Sequence, residues 1–270
     1  MIDKEMAAGH PRPFVKWVGG KRSILPELLA RLPKKYKTYN ELFVGGAALF
    51  FASGQKRAAL SDINPHLVTA FQVVRDDVSG LIRALKEHKS CHNKGYYYQA
   101  RALLALEEDP IQTAALFIYL NKTCFNGLYQ VNKSGAFNVP MGSYKDPKIV
   151  DEENLRICSI ALQGVKVVQC DFYRIIPKAG DFYYLDPPYH KTYTGYDKSG
   201  FSNNDHEYLA TFCDRIDKTG GLFMLSNSNT DFVRSLYRPY RIDIVAASRS
   251  VSCKGGSRGK ANEVIVRNYD

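Results

Sequence analysis

Apolar and polar positions follow two rhythms along this chain, and the switches between them outline an α/β fold. Residues 23–32 carry apolar side chains at helical spacing, whereas residues 38–43 and 58–62 are short runs of strand type. Gly45-Gly46 breaks the chain between the first strand and a helical stretch at 47–52. Strand, glycine turn, helix, strand is how a nucleotide-binding sheet begins. Further on, residues 165–168, 182–185, 222–226, 241–247 and 263–266 read as strands, with helices predicted over 205–217 and 230–237.

The middle of the chain changes rhythm. Asn64-Pro65 predicts a cap and first helical residue, opening a helix that runs to about residue 88. Helices follow at 96–108 and, after the Asp109-Pro110 cap, at 111–121, with a last one starting at Asp151. Between them, residues 126–138 are rich in Gly and Asn, the composition of a hairpin or a long functional loop. We therefore expect a catalytic domain made of residues 1–65 and 164–270, interrupted by a mainly helical inserted domain at 66–163.

Charge adds a partner class. The 37 Lys and Arg exceed the 27 Asp and Glu by ten, which favours a polyanion such as nucleic acid. Six scattered cysteines with no C-x-x-C pair argue against structural zinc and fit reduced thiols, so no metal is expected. No signal-peptide-like or membrane-length apolar run is present, which predicts a cytoplasmic protein without membrane attachment. A monomer is the default expectation.

Three short patterns carry candidate chemistry. Asp186-Pro187-Pro188-Tyr189 follows the strand 182–185. Its prolines remove two backbone donors and stiffen the exit, leaving carbonyls free to face a ligand. Asp186 is then a fixed acceptor beside the flat ring of Tyr189, an arrangement suited to a planar heterocycle bearing an exocyclic amine. A Pro-rich turn with no further role is the bland alternative. Phe43-Val44-Gly45-Gly46 sits where a strand becomes a helix, and Asp62 ends the next strand, at an offset where an acid can accept from ribose hydroxyls. Asp62 could equally be a turn or cap residue. Lys16-Trp17-Val18-Gly19-Gly20-Lys21 lacks the spacing of a phosphate-binding P-loop but places the single Trp of the chain beside a glycine turn and two lysines.

Together these motifs resemble the Dam-type, D12-class α-group DNA adenine-N6 methyltransferases over nearly the whole chain. Leu120-Asn121-Lys122, Phe125-Asn126-Gly127-Leu128, Phe137-Asn138-Val139-Pro140 and Ser61-Asp62-Ile63-Asn64 complete the resemblance, with the insertion lying between cofactor and catalytic motifs. The resemblance implies a Rossmann-like methyltransferase sheet with helices on both faces. It further implies S-adenosylmethionine as cofactor and double-stranded DNA as substrate, its target adenine flipped out because N6 is unreachable while stacked. Trp17, Lys21, Asp62 and Asp186 would bind the cofactor, Phe43 and Gly45 would close its methionine end, and Asp171 would contact its adenine. The target base would stack on Tyr189, its amine held by Asp186 and the Pro187 carbonyl.

By the same resemblance residues 125–144 form a hairpin for the major groove, making the insertion a target-recognition domain. Phe125 would fill the gap left by the flipped base, Asn126 would contact the orphaned partner region, and Leu128 and Pro140 would pack on a thymine methyl. Lys16 would reach a base at the other edge. GATC-specific members carry an arginine where this chain has Gln130, and glutamine suits adenine where arginine suits guanine. Specificity is therefore expected to differ from strict GATC at that base. Arg249, Lys254 and Arg258, in a Gly-rich basic stretch, would contact phosphate. Residues 190–204 are either a lid over the flipped base or a solvated loop. A cognate restriction endonuclease is a partner the family allows. Two alternatives stand beside this reading: methylation of an RNA or protein amine, and a catalytically silent DNA-binding relative.

Overall fold

The computed structural model describes residues 9–191, 200–248 and 260–270 of the chain. Seven strands form one sheet: β1 (Tyr39–Glu41), β2 (Ala58–Asp62), β3 (Lys166–Gln169), β4 (Phe182–Leu185), β5 (Leu222–Ser228), β6 (Arg241–Ser248) and β7 (Lys260–Arg267), in the order β3-β2-β1-β4-β5-β7-β6. The first five are parallel, and β7 enters antiparallel between β5 and β6. This is a Rossmann-like sheet. Its order reverses between β1 and β4, which pair in register with Tyr39 opposite Phe182. Crevices beyond the carboxyl ends of strands at such a reversal are where doubly wound folds bind ligands.

Side-chain alternation divides the core in two. On β4, Phe182 and Tyr184 join one apolar cluster while Tyr183 and Leu185 join the other. The second face is covered by α8 (Asn203–Lys218) and α9 (Asp231–Leu236), through Leu209, Phe212, Ile216 and Val233. The first carries α1 (Leu25–Ala30), α2 (Ala48–Ser53) and a helical block between β2 and β3: α3 (Pro65–Asp76), α4 (Val78–Ser90), α5 (Lys94–Leu103), α6 (Pro110–Thr123) and α7 (Glu152–Leu162). Leu81, Tyr97, Leu116 and Tyr119 of that block share one continuous core with Leu60, Tyr184 and Ile265 of the sheet. Helix α6 is buried from Thr113 to Asn121, so its nearly unbroken apolar stretch suits an interior helix. No described helix is long and apolar enough to cross a membrane.

Several elements differ from the sequence expectation. The helix predicted from Asn64 to about residue 88 is two helices, α3 and α4. At their junction Asp77 closes α3, and its side chain accepts from Gly80 N at 2.8 Å to open α4. A carboxylate that can bond its own downstream backbone offers the chain an alternative to continued helix. The helix predicted at 96–108 spans Lys94–Leu103. The expected hairpin is held by two isolated antiparallel bridges, Cys124 with Met141 and Val131 with Phe137, not by a continuous ladder. Its tip is closed by Asn132, whose side chain accepts from the backbone of Ser134 and Ala136.

Candidate active site

The tetrad beginning at Asp186 lies beyond the end of β4, where the sheet order reverses. Asp186 Oδ1 is 2.8 Å from Lys21 Nζ and accepts from Ser226 Oγ at 2.8 Å. The same ammonium donates to the Gly19 carbonyl and stands 4.6 Å above the centre of the Tyr189 ring. The Tyr189 hydroxyl donates to Glu263 Oε2 on β7 at 2.8 Å. Among the described residues Asp186 Oδ2 receives no hydrogen bond, and the side chain stays 19 % exposed. The carboxylate is therefore anchored through one oxygen and presents the other. Burial raises its pKa above the ordinary range, with Lys21 and Ser226 opposing the rise.

A second acid lies behind the first. Glu41 on β1 is buried, accepts from the Tyr39 hydroxyl at 2.7 Å, and is pushed up to about 8, first by burial and further by the negative charge of Asp186.

The remaining cofactor candidates gather at the ends of β1 and β2. Gly45 N donates to Asp62 Oδ2 at 3.2 Å, and Asn64 N donates to Oδ1 at 3.0 Å. Burial lifts Asp62 to about 6 against these donors. Gly45 has φ +45°, and a Cβ there would fall 2.7 Å from Trp17 Cδ1, so only glycine lets the indole close on the turn. Trp17 also stacks on Tyr129, with centroids 5.8 Å apart. Phe43 points to the opposite sheet face, against Phe172 and Phe201. Asp171 caps a 3₁₀ turn, accepting from Tyr173 N, just past β3, whose end lies beside that of β2.

The recognition candidates form a second group. Phe125 is 50 % exposed, and its N–H donates to the carbonyl of exposed Pro140 at 2.9 Å, so these two residues are brought together. Asn126 is exposed in a left-handed conformation, φ +53°. Leu128 and Gln130 are half-buried, and the Gln130 carbonyl accepts from Asn138 N. Lys16 belongs to this group: Asn121 bonds both its N–H and its carbonyl at 2.7 Å, and its ammonium lies 3.8 Å over the Tyr144 ring. Gly127 makes this approach possible, since a Cβ there would sit 2.5 Å from Lys16 Cβ. Because Lys16 and Trp17 are adjacent, one short segment joins the two groups. Arg249, Lys254 and Arg258 lie outside the described residues, as does most of the candidate lid at 190–204.

Ser226, Glu41, Glu263 and Tyr129 escape the sequence reading, and Asn121 enters it only as part of a motif, with no role assigned. A faint signal is available for two of them: Glu41 is an acid within a strand, and Ser226 is the first polar residue after four apolar positions of β5. Among the described residues no cluster of three or more His, Cys, Asp or Glu is placed to hold a metal ion.

Known proteins resemble this chain over nearly its whole length. The chain is 41 % identical to the Type II methyltransferase M.MjaIII of Methanocaldococcus jannaschii, over 96 % of this chain and 99 % of that protein. It is 37 % identical to the Type II methyltransferase M1.LlaDCHI of Lactococcus lactis subsp. cremoris, over 96 % and 95 % respectively. Against the DNA adenine methylase of Haemophilus influenzae the identity is 33 %, over 94 % and 93 %. The D12 class N6 adenine-specific DNA methyltransferase pattern matches residues 17–251, from the indole beside the glycine turn through the tetrad at the sheet reversal, and the chain belongs to that family.

Proposed function

We propose that this adenine-specific DNA methyltransferase uses S-adenosylmethionine and acts on an adenine flipped out of a duplex, with Asp186 as its catalytic carboxylate. The observation that carries the reading is Asp186 itself, tethered through Oδ1 with Oδ2 left open at the sheet reversal. The donor set fits the cofactor. Trp17 offers a flat wall, Asp62 keeps accepting capacity on a carboxylate shared with two N–H groups, Lys21 supplies a cation, and Asp171 has one oxygen beyond its cap bond.

S-adenosylmethionine, when bound, supplies a methyl group on a sulfonium whose C–S bond breaks as the C–N bond forms. The chain's own task is the amine. The adenine N6 lone pair is delocalised into the ring, so N6 is a poor nucleophile. Asp186 Oδ2 and the Pro187 carbonyl accept its two hydrogens, pulling the nitrogen toward tetrahedral geometry and stabilising the positive charge that develops. The proton N6 must then shed passes to the Asp186 carboxylate. Pro187 and Pro188 keep competing backbone donors out of the pocket, and Tyr189, fixed by Glu263, stacks on the base.

Residues 66–163 act in this reading as the target-recognition unit. Phe125 fills the vacated stack, Asn126 contacts the orphaned partner region, Leu128 and Pro140 pack on a thymine methyl, and Gln130 and Lys16 read base edges. Arg249, Lys254 and Arg258 contact phosphates, in keeping with the chain's +10 charge. Relatives named Type II methyltransferases make a companion endonuclease of the same site part of the proposal. Transfer of radiolabelled methyl from S-adenosylmethionine to duplex DNA, with RNA and no-substrate controls, tests it. Label in DNA alone is expected; label in RNA, or none, overturns it.

A further inference from the structure

Asp186 is held on two sides, and one of its anchors comes from the neighbouring strand. β4 and β5 are parallel, with Leu185 opposite Leu225, so the next position on each strand brings Asp186 alongside Ser226. Ser226 has a single proton, and the geometry gives it to Asp186 Oδ1 at 2.8 Å. The Tyr184 hydroxyl, 3.1 Å from Ser226 Oγ, must then donate to it, which sets the direction Tyr184 to Ser226 to Asp186. Both side chains are buried, and burial keeps the Tyr184 phenol protonated, so this donor chain meets no competition from water.

We propose that Ser226, oriented by Tyr184, is a positioning residue that fixes the catalytic carboxylate with Oδ2 turned toward the target amine. The proposal rests on the assignment of Asp186 above. A fully buried serine needs a partner, but Tyr184 alone would satisfy it. Its proton instead goes to the one charged acceptor in reach. Lys21 shares Oδ1, yet it is a long side chain that also bonds Gly19, whereas Ser226 stands on a central strand paired on both sides. Two donors on Oδ1 restrain the carboxylate and leave Oδ2 as the oxygen with unused lone pairs. The other titratable groups that interact with Asp186 are Glu41 on β1, Tyr184 on β4 and Tyr189 after it, whose hydroxyl also faces Ser226.

The test compares Ser226→Ala, Ser226→Thr and Tyr184→Phe with wild type by two measurements. One is the pH titration of the Asp186 ¹³Cγ resonance in the enzyme alone, assigned with Asp186→Asn. The other is methyl transfer to genomic DNA from a host lacking adenine methylation. For Ser226→Ala we expect kcat to fall at least tenfold with KM for donor and DNA within twofold, as loss of a hydrogen bond to a charged group implies. The Asp186 midpoint should move to higher pH. Ser226→Thr should restore most of both, and Tyr184→Phe should shift both in the same direction by less. A Ser226→Ala enzyme with kcat within twofold of wild type, or with an unmoved Asp186 midpoint, overturns the proposal. If that variant does not fold, an unchanged Tyr184→Phe does so instead. Wild-type enzyme that leaves DNA unlabelled overturns the functional assignment, a separate result visible before any variant is compared.

Discussion

Lys21 Nζ lies 2.8 Å from Asp186 Oδ1 and 4.6 Å above the Tyr189 ring, so one cation touches both ends of the tetrad. Its side chain is only 7 % exposed, and it comes from a turn more than 160 residues earlier in the chain. The pair works in opposition to burial. Desolvation raises the pKa of Asp186, and Lys21 is the largest force lowering it.

Asp186→Ala should abolish methyl transfer while leaving DNA affinity nearly intact. The contact it removes is one made to charge that grows during reaction, a class of interaction worth roughly 10²–10³ in rate when deleted singly. Single-turnover methylation beside an electrophoretic mobility-shift titration checks both halves. A variant with full activity refutes the catalytic role. Circular dichroism must accompany the assay, since an unfolded variant would lose both properties.

Lys21→Met removes a paired positive charge from the carboxylate that, in the proposed reaction, accepts from the amine in its ionised form. With the lowering influence gone, the Asp186 pKa rises further, so the acid limb of the kcat/KM profile moves to higher pH. Activity at pH 6 should fall more than activity at pH 9. A uniform loss at every pH would mean that Lys21 serves cofactor binding alone.

Gly45→Ala is predicted to impair cofactor binding and cost about 1–2 kcal/mol of stability. The added Cβ meets Trp17 at 2.7 Å, and φ +45° strains any L side chain. Calorimetric titration with S-adenosylhomocysteine should show weakening of about tenfold or more, alongside a lowered Tm. Unchanged affinity would place the cofactor away from this turn.

Glu41→Gln gives a pH signature in stability. Glu41 titrates near 8 in the folded protein against 4.5 in the ordinary side chain. A carboxyl raised in this way contributes its full stability below pH 4.5, and the contribution is lost as pH rises through about 8. The amide keeps the Tyr39 contact without ionising. Urea denaturation should therefore find the variant close to wild type at pH 5 and more stable than it at pH 9. A variant less stable than wild type at pH 9 would contradict this.

Gln130→Arg tests the proposed recognition segment. Arginine pairs with guanine edges and glutamine with adenine edges, each good pair being worth about 1–3 kcal/mol of discrimination. Modified-base sequencing of DNA from cells expressing each form should show wild type departing from strict GATC at one base, with the variant shifting toward guanine there. Strict GATC methylation by the wild-type enzyme would remove Gln130 from the readout.

How much of this was legible in the sequence depends on the range of the interaction involved. Strand and helix identity, the Asn64 and Asp109 caps and the glycine turn at Gly45 follow from local backbone preferences and short-range periodicity, and they recur in the structure. The break at Asp77 was missed because a carboxylate inside a helical pattern is ambiguous until its side chain selects Gly80 N. Asp186, Tyr189, Trp17, Lys21 and Asp62 were readable as motifs because each sits at a strand end or turn that the local sequence creates.

The partners of those residues were not readable. Ser226 reaches Asp186 through parallel register 40 positions away, and Glu263 reaches Tyr189 through an antiparallel strand 74 positions away. Likewise Asn121 of α6 bonds the Lys16 backbone, and Tyr129, beyond α6, stacks on Trp17. Sequence by itself determined which side chains could do chemistry, because composition and local conformation set their type and their place on an element. Only tertiary structure decided which oxygen of Asp186 is tethered and which is open, because strand order and register bring together donors that are remote along the chain.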